Sequence, residues 1–234
     1  MITAATIVCA AACAVLVGAE YRHARLARAI AKPIASLAFI AVGYLAIEGT
    51  VDRLAVFAIR VPPELASFSR HVLIGLVLGA VGDVALLGKS QRAFLGGLTA
   101  FLLGHLAYVI ACIHLVGPGE TLGLAGAYAV APVVVGLGAL VWLWPRLGSM
   151  RVPVIAYVAT IIAMVVAAIA VGRCDALPAR NRELLVAGAA LFFASDLAVA
   201  RDKFVGAAFV NRAWGLPCYY AGQLLIAWSL SFAV

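Results

Sequence analysis

The chain has 234 residues, of which 66% are hydrophobic and only 12% are charged, and its mean hydropathy is +1.12. A soluble globular protein of this size needs more polar surface, so the composition excludes that class and indicates an integral membrane protein. The formal net charge is +7. Because loops of membrane proteins are commonly basic, we expect membrane lipids as its surroundings and no nucleic acid as a partner.

Charged residues, Pro and Gly divide the chain into eight apolar runs of about 17–24 residues, enough for a helix to cross about 30 Å of hydrocarbon. We therefore predict an all-α fold, a polytopic membrane bundle of eight transmembrane helices in a single transmembrane domain, residues 1–234. The first run is interpreted as a helix and not as a signal peptide, because its cleavage signal is weak. The five cysteines lack metal-ligand spacing and are predicted core residues. The runs lie near 2–19, 33–50, 70–88, 94–115, 121–144, 152–171, 184–200 and 213–232.

Basic residues are unequally divided between the two sets of loops. With the N-terminus outside, eleven of the 17 basic residues lie in inner loops, so the positive-inside rule predicts that both termini are outside. The eleven residues are Arg22, Arg25, Arg28, Lys32, Lys89, Arg92, Arg146, Arg151, Arg201, Lys203 and Arg212.

The two halves of the chain share an order of features. Lys32-Pro33 opens span two and Arg151-Val152-Pro153 opens span six, with proline expected in the first helical turn. Spans three and seven each contain an aspartate after a small residue, and tyrosine follows in the next span. An offset of four spans preserves helix direction, so we predict two parallel four-helix halves, residues 1–118 and 119–234.

Asp83 and Asp196 lie inside the apolar runs of spans three and seven. A carboxylate near the middle of a spanning helix costs about 2.5–3.5 kcal/mol, so it is rarely retained without a partner, a water-filled cavity or a chemical role. Each precedes a basic inner-loop residue by about five positions, which puts both roughly 7–9 Å below the inner interface. We predict one pocket that involves both aspartates; the alternative is a structural pair bonded to a tyrosine or the backbone.

Further polar side chains are expected in the same part of the bundle. Helical spacing puts His105 and Tyr108 on one stripe of span four. Span eight adds Tyr219, Tyr220 and Gln223, the last one turn beyond the two tyrosines. The alternative for His105 is a buried histidine that bonds a neighbouring carbonyl. Polar groups gathered at one depth predict a pocket that opens to one surface.

Five short strings surround the polar residues of these spans. They are Lys32-Pro33, Gly82-Asp83-Val84-Ala85-Leu86-Leu87, Gly104-His105-Leu106-Ala107-Tyr108, Ala194-Ser195-Asp196-Leu197-Ala198 and Pro217-Cys218-Tyr219-Tyr220. The five strings resemble the signatures of the YhhN-like family of membrane proteins, and spans one and five carry no signature. The resemblance implies an eight-helix hydrolase, a lysoplasmalogenase, which cleaves the vinyl ether bond of lysoplasmalogens without a metal or organic cofactor. The implied products are a fatty aldehyde and glycerophosphoethanolamine or glycerophosphocholine.

The implied reaction needs an acid and an anion, because a vinyl ether is cleaved through protonation of its β-carbon and addition of water to the resulting oxocarbenium ion. Two carboxyls in a low-dielectric pocket can divide these roles. We predict Asp83 and Asp196 as the catalytic pair, with either one as the acid. Ser195 is expected to hydrogen-bond a neighbouring carboxylate, and the substrate phosphate is expected near Lys32. The predicted substrate-binding residues are Lys32, His105, Tyr108, Ser195, Tyr219, Tyr220 and Gln223, and no metal ligand is predicted.

Three alternatives remain open at this point. The same Asp/His cluster is typical of a proton-coupled transporter of a small amphiphile or lipid. A non-catalytic lipid sensor or assembly factor would use the aspartates to join helices. A hydrolase could also act on another lysolipid. For the hydrolase, the expected partners are a lysophospholipid and water, and the expected location is the inner membrane of a bacterium.

Overall fold

The computed structural model describes residues 1–56, 58–88 and 90–232, so Lys89, one of the predicted inner basic residues, lies outside the described residues. Within these ranges the regular structure is helical and contains no strand. The helices are α1 (Ile2–Tyr21), α2 (Arg25–Val56), α3 (Pro63–Ala85), α4 (Gln91–Val116), α5 (Thr121–Ala125), α6 (Val130–Leu143), α7 (Arg151–Gly172), α8 (Ala179–Phe204) and α9 (Phe209–Trp228).

Seven segments of the described chain are long and apolar enough to cross a membrane. The fifth is composite, because α5, a 3-10 turn at Gly126–Ala129, α6 and a second 3-10 turn at Trp144–Arg146 together form Thr121–Arg146. The seven do not include α9, which has 20 residues and carries buried polar side chains such as Asn211 and Gln223. Seven apolar spans and α9 confirm the predicted all-α polytopic bundle. The two-repeat arrangement and the outside location of the termini stay predictions.

The boundary predicted for span two is wrong at its start. The helix α2 begins at Arg25, eight residues before the predicted start at residue 33. Lys and Arg are good helix formers, so the helix continues through the basic segment beyond the apolar run. Pro33 consequently lies inside α2 and not in its first turn, as was expected. In span six the expectation holds, since Pro153 is the third residue of α7.

The backbones of α8 and α9 are in direct contact. A Cβ atom added to Gly188 would lie 2.8 Å from the carbonyl oxygen of Gly222, and one added to Gly222 would lie 2.9 Å from the carbonyl oxygen of Gly188. Small residues allow this approach in membranes, where helix association depends on close packing. The contact fixes α9 along α8, the helix that carries Asp196.

Side chains from neighbouring helices bond the chain that follows α9. The Asn181 side chain donates to the carbonyl oxygens of Ser229 and Ser231 at 3.0 and 2.9 Å. Thr50 Oγ1 donates to the carbonyl oxygen of Leu230 at 3.0 Å. Carbonyls at a helix end lack intrahelical partners, and in an apolar setting they must be satisfied by other groups. These bonds attach the end of α9 to α2 and α8.

Charged side chains from four helix ends meet at the opposite end of α9, which we call the basic end. Glu20, at the end of α1, accepts from Arg28 of α2 and from Arg212 of α9. Arg212 also pairs with Asp202 of α8, at 3.1 Å. These pairs join α1, α2, α8 and α9 on one side of the bundle. This is the side that the basic loops predict to face inward.

The Gly188–Gly222 contact is testable with matched substitutions. We expect Gly222→Ala to destabilise the protein by about 1–3 kcal/mol, because the added methyl group meets backbone atoms that have no free rotation. That corresponds to roughly 2–10 °C in apparent Tm for a chain of this size. Gly138→Ala is the control, since a Cβ atom there meets no atom within 4 Å. Thermal unfolding in detergent measures both, and equal Tm values would contradict the contact.

Candidate active site

A cavity of about 710 Å³ extends from the basic end into the bundle, and both Asp83 and Asp196 line it. Its inner walls are largely apolar and aromatic, and its outer part is charged. Cavities of about 300–1,000 Å³ with apolar walls and few polar groups are typical of small-molecule sites. The aromatic residues on the walls are Phe94, Phe101, Tyr157, Phe192, Phe193, Phe204 and Tyr219.

Asp83 is held as an ion pair at the meeting point of α2 and α3. Lys32 Nζ lies 3.2 Å from Asp83 Oδ1, and Ser36 Oγ donates to Asp83 Oδ2 at 2.6 Å. The Lys32 side chain is 12% exposed and that of Asp83 only 3%. A buried carboxylate needs such partners because loss of hydration costs several kcal/mol. The basic start of α2 therefore supplies both the counter-ion and, one turn later, the hydroxyl.

Asp196 has different surroundings. His105 Nε2 of α4 lies 3.6 Å from Asp196 Oδ2, too far for a hydrogen bond, and Tyr157 of α7 lies beside the same carboxyl. The His105 ring is fully buried against Phe192, with ring centres 4.6 Å apart. Among the described residues, neither ring nitrogen of His105 nor Asp196 Oδ2 has a hydrogen-bond partner. Unlike Asp83, Asp196 has no lysine or arginine of the described chain within ion-pair distance.

A chain of hydrogen bonds lies behind the cavity wall. Tyr108 donates its hydroxyl to Gln223 Oε1 at 2.7 Å, and Gln223 Nε2 donates to the Tyr219 hydroxyl oxygen at 3.3 Å. Tyr219 lies beside Asp83. Gly75 and Gly79 provide the necessary space, because a Cβ atom on either would lie 2.3 Å from Tyr108 or Gln223. Three helices thus fix the orientation of Tyr219, which lines the cavity.

The predicted site residues fall into two groups. Asp83, Asp196, Lys32, Ser195 and Tyr219 line the cavity. The others lie behind its wall. They are His105, Tyr108, Tyr220 and Gln223.

One expected contact is wrong. Ser195 Oγ does not bond a carboxylate but donates to the carbonyl oxygen of Phe192 at 2.7 Å, one turn earlier in α8. This is the usual bond of a serine whose hydroxyl turns toward its own helix. Lys32 pairs with Asp83, and its expected contact with the substrate phosphate stays a prediction.

Two residues beside the aspartates, Ser36 and Tyr157, and several charges were not found from the sequence. Ser36 carried a signal, since it follows Lys32 by four residues and therefore shares its helix face. Tyr157 had none, because a tyrosine in an apolar helix is common at any depth. The ion pairs of Glu20, Asp202 and Arg212 join distant parts of the chain and depend on tertiary contacts. No group of three or more His, Cys, Asp or Glu side chains in the described ranges could hold a metal ion.

Comparisons with known proteins agree with the sequence signatures. The sequence model of the YhhN family matches residues 27–230. The chain belongs to the YhhN family. A Mycobacterium bovis protein named lysoplasmalogenase is 35% identical over 164 residues, which are 67% of this chain and 59% of that protein.

Two mammalian relatives have a similar sequence identity to this chain. Proteins named lysoplasmalogenase TMEM86A from Bos taurus and Homo sapiens are 32% and 31% identical over 170 residues, which are 68% of this chain and 64% of each relative. The matched region thus spans about three fifths of the length of these curated relatives. No solved structure matches the chain significantly.

The ion pair of Lys32 and Asp83 is expected to govern stability. Lys32→Met would leave a buried carboxylate unpaired, a change that typically costs about 3–5 kcal/mol. Lys32→Met combined with Asp83→Asn removes both charges and should recover part of the loss. Thermal unfolding of the two single variants and the double variant measures this coupling. Arg92→Met, at an exposed arginine, is the control, and a double variant no more stable than Lys32→Met would contradict the pairing.

Proposed function

We propose that this protein is a membrane hydrolase of the lysoplasmalogenase type, located in the inner membrane of a bacterium. Its substrates would be a lysoplasmalogen and water, and its products a fatty aldehyde and glycerophosphoethanolamine or glycerophosphocholine. The names of the relatives support this reaction and do not favour the transporter alternative. The observation that carries the proposal is a single cavity in which two carboxyls inside the bundle, Asp83 and Asp196, have unlike partners.

Those partners suggest which carboxyl is the acid. Asp83, paired with Lys32 and bonded by Ser36, is suited to remain an anion. Asp196 faces an imidazole and a phenol, and a buried carboxyl without a cationic partner is accommodated most easily in its neutral form. The geometry therefore supports Asp196 as proton donor and Asp83 as the group that stabilises the cation.

The proposed reaction returns both carboxyls to their starting states. Asp196 transfers its proton to the β-carbon of the vinyl ether, and the neighbouring carbon becomes an oxocarbenium ion. Water adds to that carbon while Asp83 takes a proton from the water molecule. The hemiacetal then collapses as its hydroxyl proton passes to Asp196 and Asp83 protonates the departing glycerol oxygen. The aldehyde leaves with the alkyl chain, and the glycerol keeps the phosphate.

The cavity walls favour the cationic step. The faces of Phe101, Phe192 and Tyr219 carry negative partial charge, which attracts a cation in a dry site. Tyr219 and Phe192 lie with ring centres 5.2 Å apart and nearly edge to face, a geometry that fixes both rings. His105, behind the wall, would orient Asp196 and not contact the substrate.

The first test is aldehyde release by the purified protein in detergent. A lysoplasmalogen is supplied with a chelator present, and the ester-linked lysolipid is the control substrate. Aldehyde from the vinyl ether alone is the expected result. Folded protein that releases no aldehyde would reject this reaction.

Substitution of each aspartate tests the proposed pair. We expect Asp83→Asn and Asp196→Asn each to lower kcat at least a hundredfold, since general acid–base groups contribute about 10²–10⁴-fold. Asp175→Asn is the control, because Asp175 is 99% exposed and outside the cavity. Unfolding temperatures verify that the variants fold. A variant that keeps more than about a tenth of the rate would remove that residue from the mechanism.

Deuterium incorporation identifies the carbon that is protonated. In D₂O the aldehyde should carry one deuterium on the carbon next to its carbonyl group, the former β-carbon. Mass spectrometry of aldehyde trapped immediately after release measures this label. Authentic aldehyde incubated with Asp196→Asn protein corrects for exchange in solution. Unlabelled aldehyde would exclude cleavage through β-carbon protonation.

A further inference from the structure

Charged side chains surround the outer part of the cavity at the basic end. Four are basic and two are acidic, so the opening carries an excess of positive charge. They are Glu20, Arg25, Arg28, Asp202, Lys203 and Arg212. Both acidic residues already have partners. Glu20 binds Arg28 and Arg212, and Asp202 binds Arg212.

Two of the four basic residues at the opening take no part in these ion pairs. Among the described residues, Arg25 and Lys203 form no ion pair with a carboxylate, and both are exposed. Lys203 Nζ lies 4.3 Å from the ring centre of Phe94, which in turn packs on the ring of Phe204. The aromatic pair thus supports the ammonium group at the cavity wall, where Phe94 and Phe204 also lie.

We propose that Arg25 and Lys203 form a phosphate-binding subsite for the lipid substrate. This inference rests on the proposed function and names the part of that site which recognises the head group. An arginine supplies two parallel donors to phosphate oxygens, and a lysine supplies a point charge. The ion pairs of Glu20 hold α1, α2 and α9 around the subsite.

The spacing along two helices agrees with the length of the substrate. Arg25 precedes Lys32, the partner of Asp83, by seven residues in α2, and Lys203 follows Asp196 by seven residues in α8. Seven helical residues rise about 10 Å. Seven bonds separate the β-carbon of a lysoplasmalogen from its phosphorus atom, which extends to about 9 Å with ordinary bond lengths. A phosphate between Arg25 and Lys203 would therefore leave the vinyl ether at the level of the two carboxyls.

Phosphate could reach these residues from two sources, the single-chain substrate or an anionic membrane phospholipid. The cavity favours the substrate, since the charged opening is continuous with the apolar interior that would hold one alkenyl chain. Kinetics with two substrates distinguish the sources. One is a lysoplasmalogen with a phosphocholine head group, and the other is the matching 1-alkenylglycerol, which lacks phosphate.

The variants are Arg25→Gln, Lys203→Gln and their combination. Arg22→Gln and Arg201→Gln are matched controls, because these exposed arginines lie within three residues of the tested positions and outside the cavity lining. We expect the double variant to raise KM for the lysoplasmalogen at least tenfold, with kcat and the KM for the alkenylglycerol within about twofold of wild type. Equal changes in KM for both substrates, or equal changes in KM in the control variants, would overturn the subsite.

Binding of hexadecylphosphocholine separates this inference from the proposed function, since this single-chain phosphodiester has no vinyl ether to cleave. Isothermal titration should give a Kd at least tenfold weaker for the double variant, whether or not aldehyde is released. Decyl maltoside, which has no phosphate, should bind both proteins equally. Unchanged hexadecylphosphocholine binding by the double variant would refute a substrate subsite. It would also be refuted if the double variant bound only phosphatidylglycerol in nanodiscs more weakly.

Discussion

The burial of the Asp83 carboxylate is the constraint on which much of this structure depends. A charge in the interior of a membrane bundle requires a counter-ion and a donor, and both come from one stripe of α2, Lys32 and Ser36. Lys32 belongs to the basic start of α2, which precedes the apolar run of that helix. The same segment reaches the opening of the cavity, where Arg28 joins Glu20. One helix therefore connects the head-group end to the reacting end.

The helix α9 has a corresponding role on the other side. It lacks a stretch as apolar as those of the seven spans, and its buried polar residues include Asn211 and Gln223. Arg212 binds two carboxylates at the basic end, Tyr219 lines the cavity, and Gln223 bonds Tyr108 behind the wall. Contact with α8 through Gly188 and Gly222 keeps these groups in register with Asp196. A polar helix is stable here because neighbouring helices cover it.

The two aspartates illustrate how one residue type meets two different electrostatic surroundings. Their sequence contexts are similar, a small residue before the aspartate and apolar residues after it. The difference lies in residues from other helices, because Asp83 meets a lysine and Asp196 meets a histidine and a tyrosine. In an apolar interior, a nearby cation stabilises a carboxylate far more than it does in water. Unlike partners can therefore separate the roles of acid and anion within one cavity.

The sequence by itself determined the class of the protein, its family signatures and most of the candidate site. Composition and run length decide membrane insertion, because apolar transfer depends on the amount of apolar surface and not on its arrangement. Charged residues inside spans are costly, so Asp83 and Asp196 were identifiable without a structure. Only the tertiary structure decided which residues line the cavity and which residues are the partners of each carboxyl. Those features depend on distances between helices that are far apart in the chain, and neither helical periodicity nor residue spacing contains them.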